Sequence, residues 1–138
     1  MEITHQQYFN YSFPKGERNN ITTLEFSNRK EKFPLKLEGF YNLVELTLRD
    51  IKLTELDLTG CNNLEKITIS NCVFDNPNIF RWLSQEKFKE LIIVESEFSF
   101  KHLLSLAVPF KNLTIIRDGV FVKLGEKQIQ SQIVQRDI

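Results

Sequence analysis

The feature that most constrains this chain is an apolar pattern that returns every 21 to 24 residues. In Leu43–Leu48 the first, fourth and sixth residues are leucine, and Leu64–Ile69 repeats that spacing with leucine and isoleucine. Two later copies begin at Phe88 and Phe110, and a partial copy begins at Ile21. One such unit cannot bury its own apolar face, so successive units have to stack. The chain is therefore predicted to be a solenoid with a continuous core.

The copies fit the spacing L-x-x-L-x-L-x-x-N/C-x-L, which is typical of leucine-rich repeats. Cys72 occupies the N/C position of one complete copy, whereas Ile51 occupies it in the copy before. We therefore predict an α/β repeat fold, a leucine-rich-repeat solenoid of right-handed βα/β coils with a parallel sheet on its concave face. Residues 21–124 are predicted to form about four to five units of this solenoid.

The segments that connect the predicted strands change character along the chain. Leu53–Leu58 repeats the apolar spacing half a period after Leu43–Leu48, which predicts an extended return segment in the first half. Later, the apolar residues of 77–87 and of 99–107 recur at helical spacing. Both of these later segments are therefore predicted to be helices.

Both ends of a solenoid need a cap, because a terminal unit otherwise exposes its core. Thr4-His5-Gln6-Gln7 resembles a capping box, and residues 1–20 are predicted to form an N-terminal capping helix and loop. Near the other end, the Asp118-Gly119 pair favours a tight hairpin, in competition with the fourth copy of the repeat. Residues 125–138 are predicted to be a C-terminal cap, as an amphipathic helix, or a flexible tail.

The charge balance argues against two classes of partner. Eighteen basic and eighteen acidic side chains give a formal net charge of zero. Nucleic acids and anionic membranes are bound by basic surfaces, so neither is predicted as a partner. The N-terminal residues lack the basic and apolar regions of a secretory signal, and no apolar run approaches the roughly 18 residues of a membrane span. The predicted localisation is cytoplasmic.

No motif in the sequence predicts catalysis or a bound cofactor. Cys61 and Cys72 lie half a unit apart, on opposite edges of a coil, so they are predicted to be buried free thiols rather than a disulfide. Together with His5 and His102 they are too few and too dispersed for a metal site. The chain is predicted not to be an enzyme and to hold no cofactor and no metal.

The predicted binding surface is the outward face of the parallel sheet. Successive side chains of a strand point to opposite faces, so the residues between the core positions face outward. We predict that these residues bind a protein partner, which makes the chain a non-enzymatic protein–protein interaction module. The predicted partner-binding residues are Glu45, Thr47, Arg49, Lys66, Thr68, Ser70, Glu90, Ile92, Val94, Thr114 and Ile116.

Two questions stay open from the sequence. Ile92, Val94 and Ile116 form an apolar patch, which is either exposed to a partner or covered by the apolar residues of 129–134. The alternative function is a structural or regulatory fragment of a larger repeat protein that self-associates through its open end. A monomer fits the first function, and an assembling chain fits the second.

Three segments resemble a known group of repeat proteins. They are Phe13–Asn28, Leu35–Leu43 with its Leu-Glu-Gly-Phe turn, and Leu53–Leu64. They are similar to the opening of short leucine-rich-repeat proteins that are abundant in arbuscular mycorrhizal fungi. The usual Cys-Ser-x-Asn after each strand is degraded here, to Arg49-Asp50-Ile51 in one copy. The resemblance implies a repeat scaffold for protein interaction, and it carries no catalytic activity to this chain.

Overall fold

The structure, a computed structural model, describes residues 4–74, 83–96, 110, 113–118 and 120–123, the last four by their backbone alone. Its first elements are a helix, α1 (His5–Ser12), and a 3-10 helix (Lys15–Asn20). The strands are β1 (Thr23–Ser27), β2 (Lys32–Lys36), β3 (Glu45–Arg49), β4 (Lys52–Asp57), β5 (Lys66–Ser70), β6 (Val73–Phe74), β7 (Glu90–Val94), β8 (Thr114–Arg117) and β9 (Val120–Lys123). Strands therefore dominate the part of the chain that the structure describes.

The strands form two sheets between which the chain alternates. Sheet A has the order β1-β3-β5-β7-β8-β9, and sheet B has the order β2-β4-β6. Neighbouring strands pair in parallel, except that β8 and β9 are antiparallel. After β1, β3 and β5 the chain crosses to sheet B and then returns to sheet A, which gives a parallel-strand β-solenoid of about three turns. The predicted repeat solenoid with a parallel sheet is confirmed at this level.

The core contains a column of aliphatic side chains that runs across sheet A. Its members are successive Cα partners in the strand pairing. Each is at most 5 % exposed. Burial of one such side chain stabilises the fold by roughly 1.5–3 kcal/mol, so the column favours one register over its alternatives. The members are Leu24, Leu46, Ile67, Leu91 and Ile115. The first four occupy the fourth position of their copies, so the register predicted from the spacing is confirmed for β1, β3, β5 and β7. At β8 the prediction is wrong by two residues, because Ile115, the sixth residue of the copy that begins at Phe110, pairs with Leu91 in place of Leu113.

The return segments of the first two turns are the strands β2 and β4. In β2 the buried side chains of Phe33 and Leu35 alternate with exposed neighbours, as expected for a strand with one face on the core. β4 pairs with β2 and buries Leu53 and Leu56 in the same way, across a register shift. The prediction of extended returns in the first half is confirmed.

The predicted helix over 77–87 is wrong for the residues of it that the structure describes. Residues 83–87 form a bend and a turn, and Phe88 is buried at the start of the next copy. The backbone N–H of Phe88 donates to the carbonyl oxygen of Ser84 at 3.0 Å, which closes the turn. The chain must leave this turn extended, because β7 begins two residues later. The remainder of that segment, the predicted helix over 99–107 and residues 125–138 lie outside the described residues.

A corner with left-handed backbone follows each parallel strand of sheet A. The corner residues have φ between 47° and 62°, a region in which Asn and Asp are enriched. They are Asn28, Asp50, Asn71, Glu95 and Asp118. The backbone N–H of Asn28 donates to the carbonyl of Arg49, and that of Asn71 to the carbonyl of Val94, so the corners are bonded from one turn of the solenoid to the next. This column of corner residues was not predicted from the sequence.

Helix α1 begins with the predicted capping box. The hydroxyl oxygen of Thr4 accepts from the backbone N–H of Gln7 at 3.0 Å, and the Thr4 N–H donates to the Gln7 side chain at 2.8 Å. Both bonds satisfy donors that a helix N-terminus otherwise leaves unpaired. The fully buried Phe9 ring packs at 5.1 Å from Phe26 and 5.8 Å from Phe40. The helix is therefore attached to the first turn of the solenoid through its apolar face.

The same helix meets the edge of sheet B through one amide side chain. The backbone N–H of Lys36 donates to the side-chain oxygen Oε1 of Gln6 at 2.7 Å. The side-chain Nε2 of Gln6 donates to the backbone carbonyl of Lys36 at 3.1 Å. Gln6 thus makes the pair of bonds that a neighbouring strand makes with an edge residue. At Lys36 the free edge of β2 is therefore capped, and no strand of another chain can pair with it there.

The predicted hairpin ends sheet A. β8 and β9 pair antiparallel with Arg117 opposite Val120, and Asp118 between them has a φ of 49°. A positive φ at this position is typical of tight hairpin turns. The hairpin prediction is confirmed, and Asp118 serves both as the turn residue and as the last corner of the repeat.

Candidate functional site

The outer face of sheet A carries three rows of side chains that cross the strands. One row contains Thr23, Glu45, Lys66, Glu90 and Thr114, which are successive Cα partners. The middle row contains Glu25, Thr47, Thr68, Ile92 and Ile116, and the third contains Ser27, Arg49, Ser70 and Val94. All eleven residues predicted to bind a partner lie in these rows, and all are exposed or half-buried. Their role in binding stays a prediction.

Two ion pairs join neighbouring strands on this face. The Arg49 guanidinium lies 3.4 Å from the Glu25 carboxylate, and the Lys66 ammonium lies 4.0 Å from the Glu90 carboxylate. Because these side chains are between 35 % and 56 % exposed, each pair contributes at most about 1 kcal/mol to stability. Each pair also lowers the charge that the face presents to solvent. Glu25 was missed from the predicted set, although its alternation with the buried Leu24 and Phe26 marks it as outward-facing.

The face changes from polar to aliphatic along the solenoid. Thr47 and Thr68 are Cα partners in the middle row, and the next partners are Ile92 and Ile116. Ile92 and Ile116 are half-buried, and Val94 is 37 % exposed. Exposed aliphatic side chains that adjoin one another are typical of contact surfaces.

An open cleft of about 760 Å³ is lined by the 3-10 helix and by the segments at the ends of β2 and β4. Arg18 lines it and is nevertheless 1 % exposed. Its Nε donates to the carbonyl of Phe13 at 2.6 Å, its Nη1 to that of Glu38 at 2.9 Å, and its Nη2 to the Asn10 side chain at 2.9 Å. Burial lowers the pKa of Arg18, and the Glu38 carboxylate opposes that shift. All three guanidinium nitrogens are engaged by the protein, so this cation joins the N-terminal elements to the solenoid.

The two thiols are buried and free, as predicted. Burial, with a smaller effect of the Asp57 carboxylate, raises the pKa of the Cys61 thiol to about 12. Burial also raises the pKa of Cys72, whose Sγ donates to the carbonyl of Leu48 at 3.2 Å. A thiol with a raised pKa is a poor nucleophile, because the thiolate is the reactive form. Within the described ranges, no three His, Cys, Asp or Glu side chains are grouped as metal ligands.

Comparisons of the chain with protein-family models, with curated proteins and with solved structures give no match. The resemblance to leucine-rich-repeat proteins therefore stays a hypothesis about this chain. In the portion of the chain that the structure describes, no helix is both long and apolar enough to cross a bilayer.

Proposed function

We propose that this chain is a non-enzymatic protein-interaction module that binds a protein partner on the outer face of sheet A. One observation carries the proposal: eleven outward residues predicted from the spacing fall into three in-register rows on consecutive strands. A stack of short units creates such a continuous surface without a pocket. The outward side chains of this surface can differ from row to row while the inward apolar residues stay the same.

The size of the face indicates how firmly it binds. Five parallel strands at about 4.8 Å spacing, each about 17 Å long, give a face of roughly 400 Å². A stable interface buries about 800 Å² on each partner. The face alone therefore fits a transient complex, unless the partner also contacts the turns that flank the strands.

We also propose that the solenoid belongs to the leucine-rich-repeat class, with its coils right-handed, sheet A on the concave side and α1 as its N-terminal cap. The repeat spacing and the buried Cys72 in the N/C position support this class. The bonds from Gln6 to Lys36 and the packing of Phe9 support the capping role of α1. The free state of Cys61 and Cys72 fits the reducing environment of the cytoplasm, where we place the chain.

Self-association through an open end of the stack is the competing function. It is the weaker proposal at the N-terminal end, because Gln6 already occupies the hydrogen-bonding groups of Lys36 at the edge of sheet B. Partner binding on sheet A needs no free strand edge.

Proximity labelling with matched variants tests the proposal. Ile92→Lys places a charge in the middle row of sheet A, where burial against a partner is costly. Val73→Lys makes the same kind of change on sheet B, where Val73 is the partner of Lys52. Loss of labelled proteins is expected for Ile92→Lys alone, while both variants keep the wild-type melting temperature within a few degrees. Equal labelling by all three proteins, or loss with Val73→Lys alone, would contradict binding on sheet A.

A further inference from the structure

We infer that the partner presents a segment of low net charge with an aliphatic or aromatic anchor, and that this anchor seats on Ile92, Val94 and Ile116. The inference rests on the proposed function and names the class of its partner. It follows from two properties of the outer face, namely the pairing of its charges and the order of side chains along its middle row.

The charged residues of the face largely neutralise one another. On the five parallel strands three carboxylates, those of Glu25, Glu45 and Glu90, stand against the two cations Arg49 and Lys66, a net charge of −1. In β9 Lys123 is the partner of Thr114, which brings the formal charge of the rows to zero. Arg49 is paired with Glu25, and Lys66 lies between Glu45 and Glu90 in its row. A strongly charged segment gains little from this surface, since it has to displace an existing ion pair to make a new one. The face thus selects against charged partners.

The middle row specifies where the apolar part of the segment lies. From the first strand to the fifth it reads carboxylate, hydroxyl, hydroxyl, aliphatic, aliphatic. A segment that crosses the strands along this row meets the hydroxyls of Thr47 and Thr68 and then the side chains of Ile92 and Ile116. Val94, which is 37 % exposed, lies in the third row and completes the aliphatic end of the face with Ile92 and Ile116. One apolar side chain of the partner covers this end, and neutral polar groups bond the two threonines.

Two other occupants compete with an external segment. A second copy of the chain can cover the aliphatic end with its own, because identical apolar patches are self-complementary. The apolar residues of 129–134 are the other occupant that the sequence suggests. A single crossing segment meets the two threonines and the aliphatic end together, because they lie in the same row. The two other occupants are outcomes of the test below.

Selection from a library of random linear peptides, with the full chain as bait, tests the inference. The matched baits are Ile92→Lys, Val73→Lys and Ile133→Asp. Enriched peptides are expected to carry an apolar anchor and little net charge. Their affinity is expected to fall about tenfold or more on Ile92→Lys, as for a lost apolar contact, and to stay unchanged on Val73→Lys. Because few charges are involved, added salt changes the affinity by less than about threefold.

Other outcomes of the selection overturn the inference in ways that can be told apart. Highly charged peptides that are lost on Ile92→Lys overturn it and leave the proposed function standing. Peptides that bind the Ile92→Lys variant and the wild-type protein equally tightly count against both the inference and the proposed function. Enrichment on Ile133→Asp alone assigns the aliphatic end to the C-terminal segment. A mass by light scattering that doubles with concentration, and stays single for Ile92→Lys, assigns it to a second copy. Lack of any enrichment also overturns it.

Discussion

At the scale of the residue, burial sets the chemistry of the thiols. The pKa of Cys61 is raised from 9.0 to about 12 by burial. Between these two values the unfolded chain loses this proton and the folded chain keeps it, so the unfolded state is favoured as pH rises. Stability from this group is fully present below pH 9 and is lost as pH rises towards 12.

Urea denaturation at pH 9 and pH 10 checks this consequence. The free energy of unfolding is expected to fall by about 1 kcal/mol from Cys61 over this interval, with a further decrease from Cys72. Cys61→Ala removes the first contribution, so its slope against pH is shallower, although a cavity lowers its stability at every pH. An identical slope in the two proteins would refute the assignment of the alkaline sensitivity to Cys61.

The corner residue Glu95 provides a second prediction at this scale. It is the one member of the described corners that is neither Asn nor Asp, and its φ is 47°. Its backbone N–H donates to the Asp118 carboxylate at 2.8 Å, a bond that survives side-chain substitution. Glu95→Asn is therefore expected to stabilise the fold by about 0.5–1 kcal/mol, because Asn adopts left-handed backbone more readily. Glu55→Asn, in a strand, is the matched control and is expected to give no gain. Equal thermal shifts would argue against backbone strain at Glu95.

The sequence does not predict the role of Arg18, and the reason is physical. Two of its acceptors are backbone carbonyls, those of Phe13 and Glu38, and every residue type offers a carbonyl. Its guanidinium carbon lies 5.7 Å and 5.1 Å from the ring centroids of Phe9 and Phe40, and these contacts depend on how the helix docks on the solenoid. Hydrogen-bond and ring partners that come together only through tertiary packing leave no recurring pattern in the sequence.

At the scale of the element, two glutamines on the first turn of α1 have different roles. Gln6 needs both its oxygen and its amide group, since it bonds both backbone groups of Lys36. Gln7 uses its oxygen to accept from Thr4. Gln6→Glu is expected to cost about 1–2 kcal/mol, because a carboxylate faces the Lys36 carbonyl and cannot donate to it. Gln7→Glu is expected to change stability by less than about 0.5 kcal/mol, because a capping box accepts either residue. Chemical denaturation of both variants checks the difference, and a cost at position 7 equal to that at position 6 would contradict the bidentate role of Gln6.

Strands whose apolar residues recur at a regular spacing were predictable from the sequence. Elements whose conformation depends on the packing of neighbouring strands were not. The strands of sheet A and the returns β2 and β4 follow from apolar residues that recur at fixed spacing. The turn over 83–87 did not, because its one apolar residue, Leu83, ends the apolar spacing that predicted a helix, and the polar residues 84–87 fit a helix and a turn equally well. The requirement that β7 start at Glu90 in register with Lys66 decides between them.

At the scale of the whole molecule, the stacking of similar units converts a one-dimensional pattern into a surface. Equivalent positions in successive copies become neighbours across strands, as Thr47, Thr68 and Ile92 do. The membership of the outer face was therefore predictable from the period. The partner was not, because the core pattern constrains only the inward residues and leaves the outward ones free to vary.

Site-specific photo-crosslinking in cells tests most directly whether the outer face of sheet A contacts a partner. Benzoylphenylalanine is introduced in place of Thr68 on sheet A, and in place of the exposed Glu55 on sheet B as the control. We predict a crosslink from position 68 to a distinct protein, and none from position 55. Crosslinks from position 55 alone, or only between copies of this chain, would contradict the account.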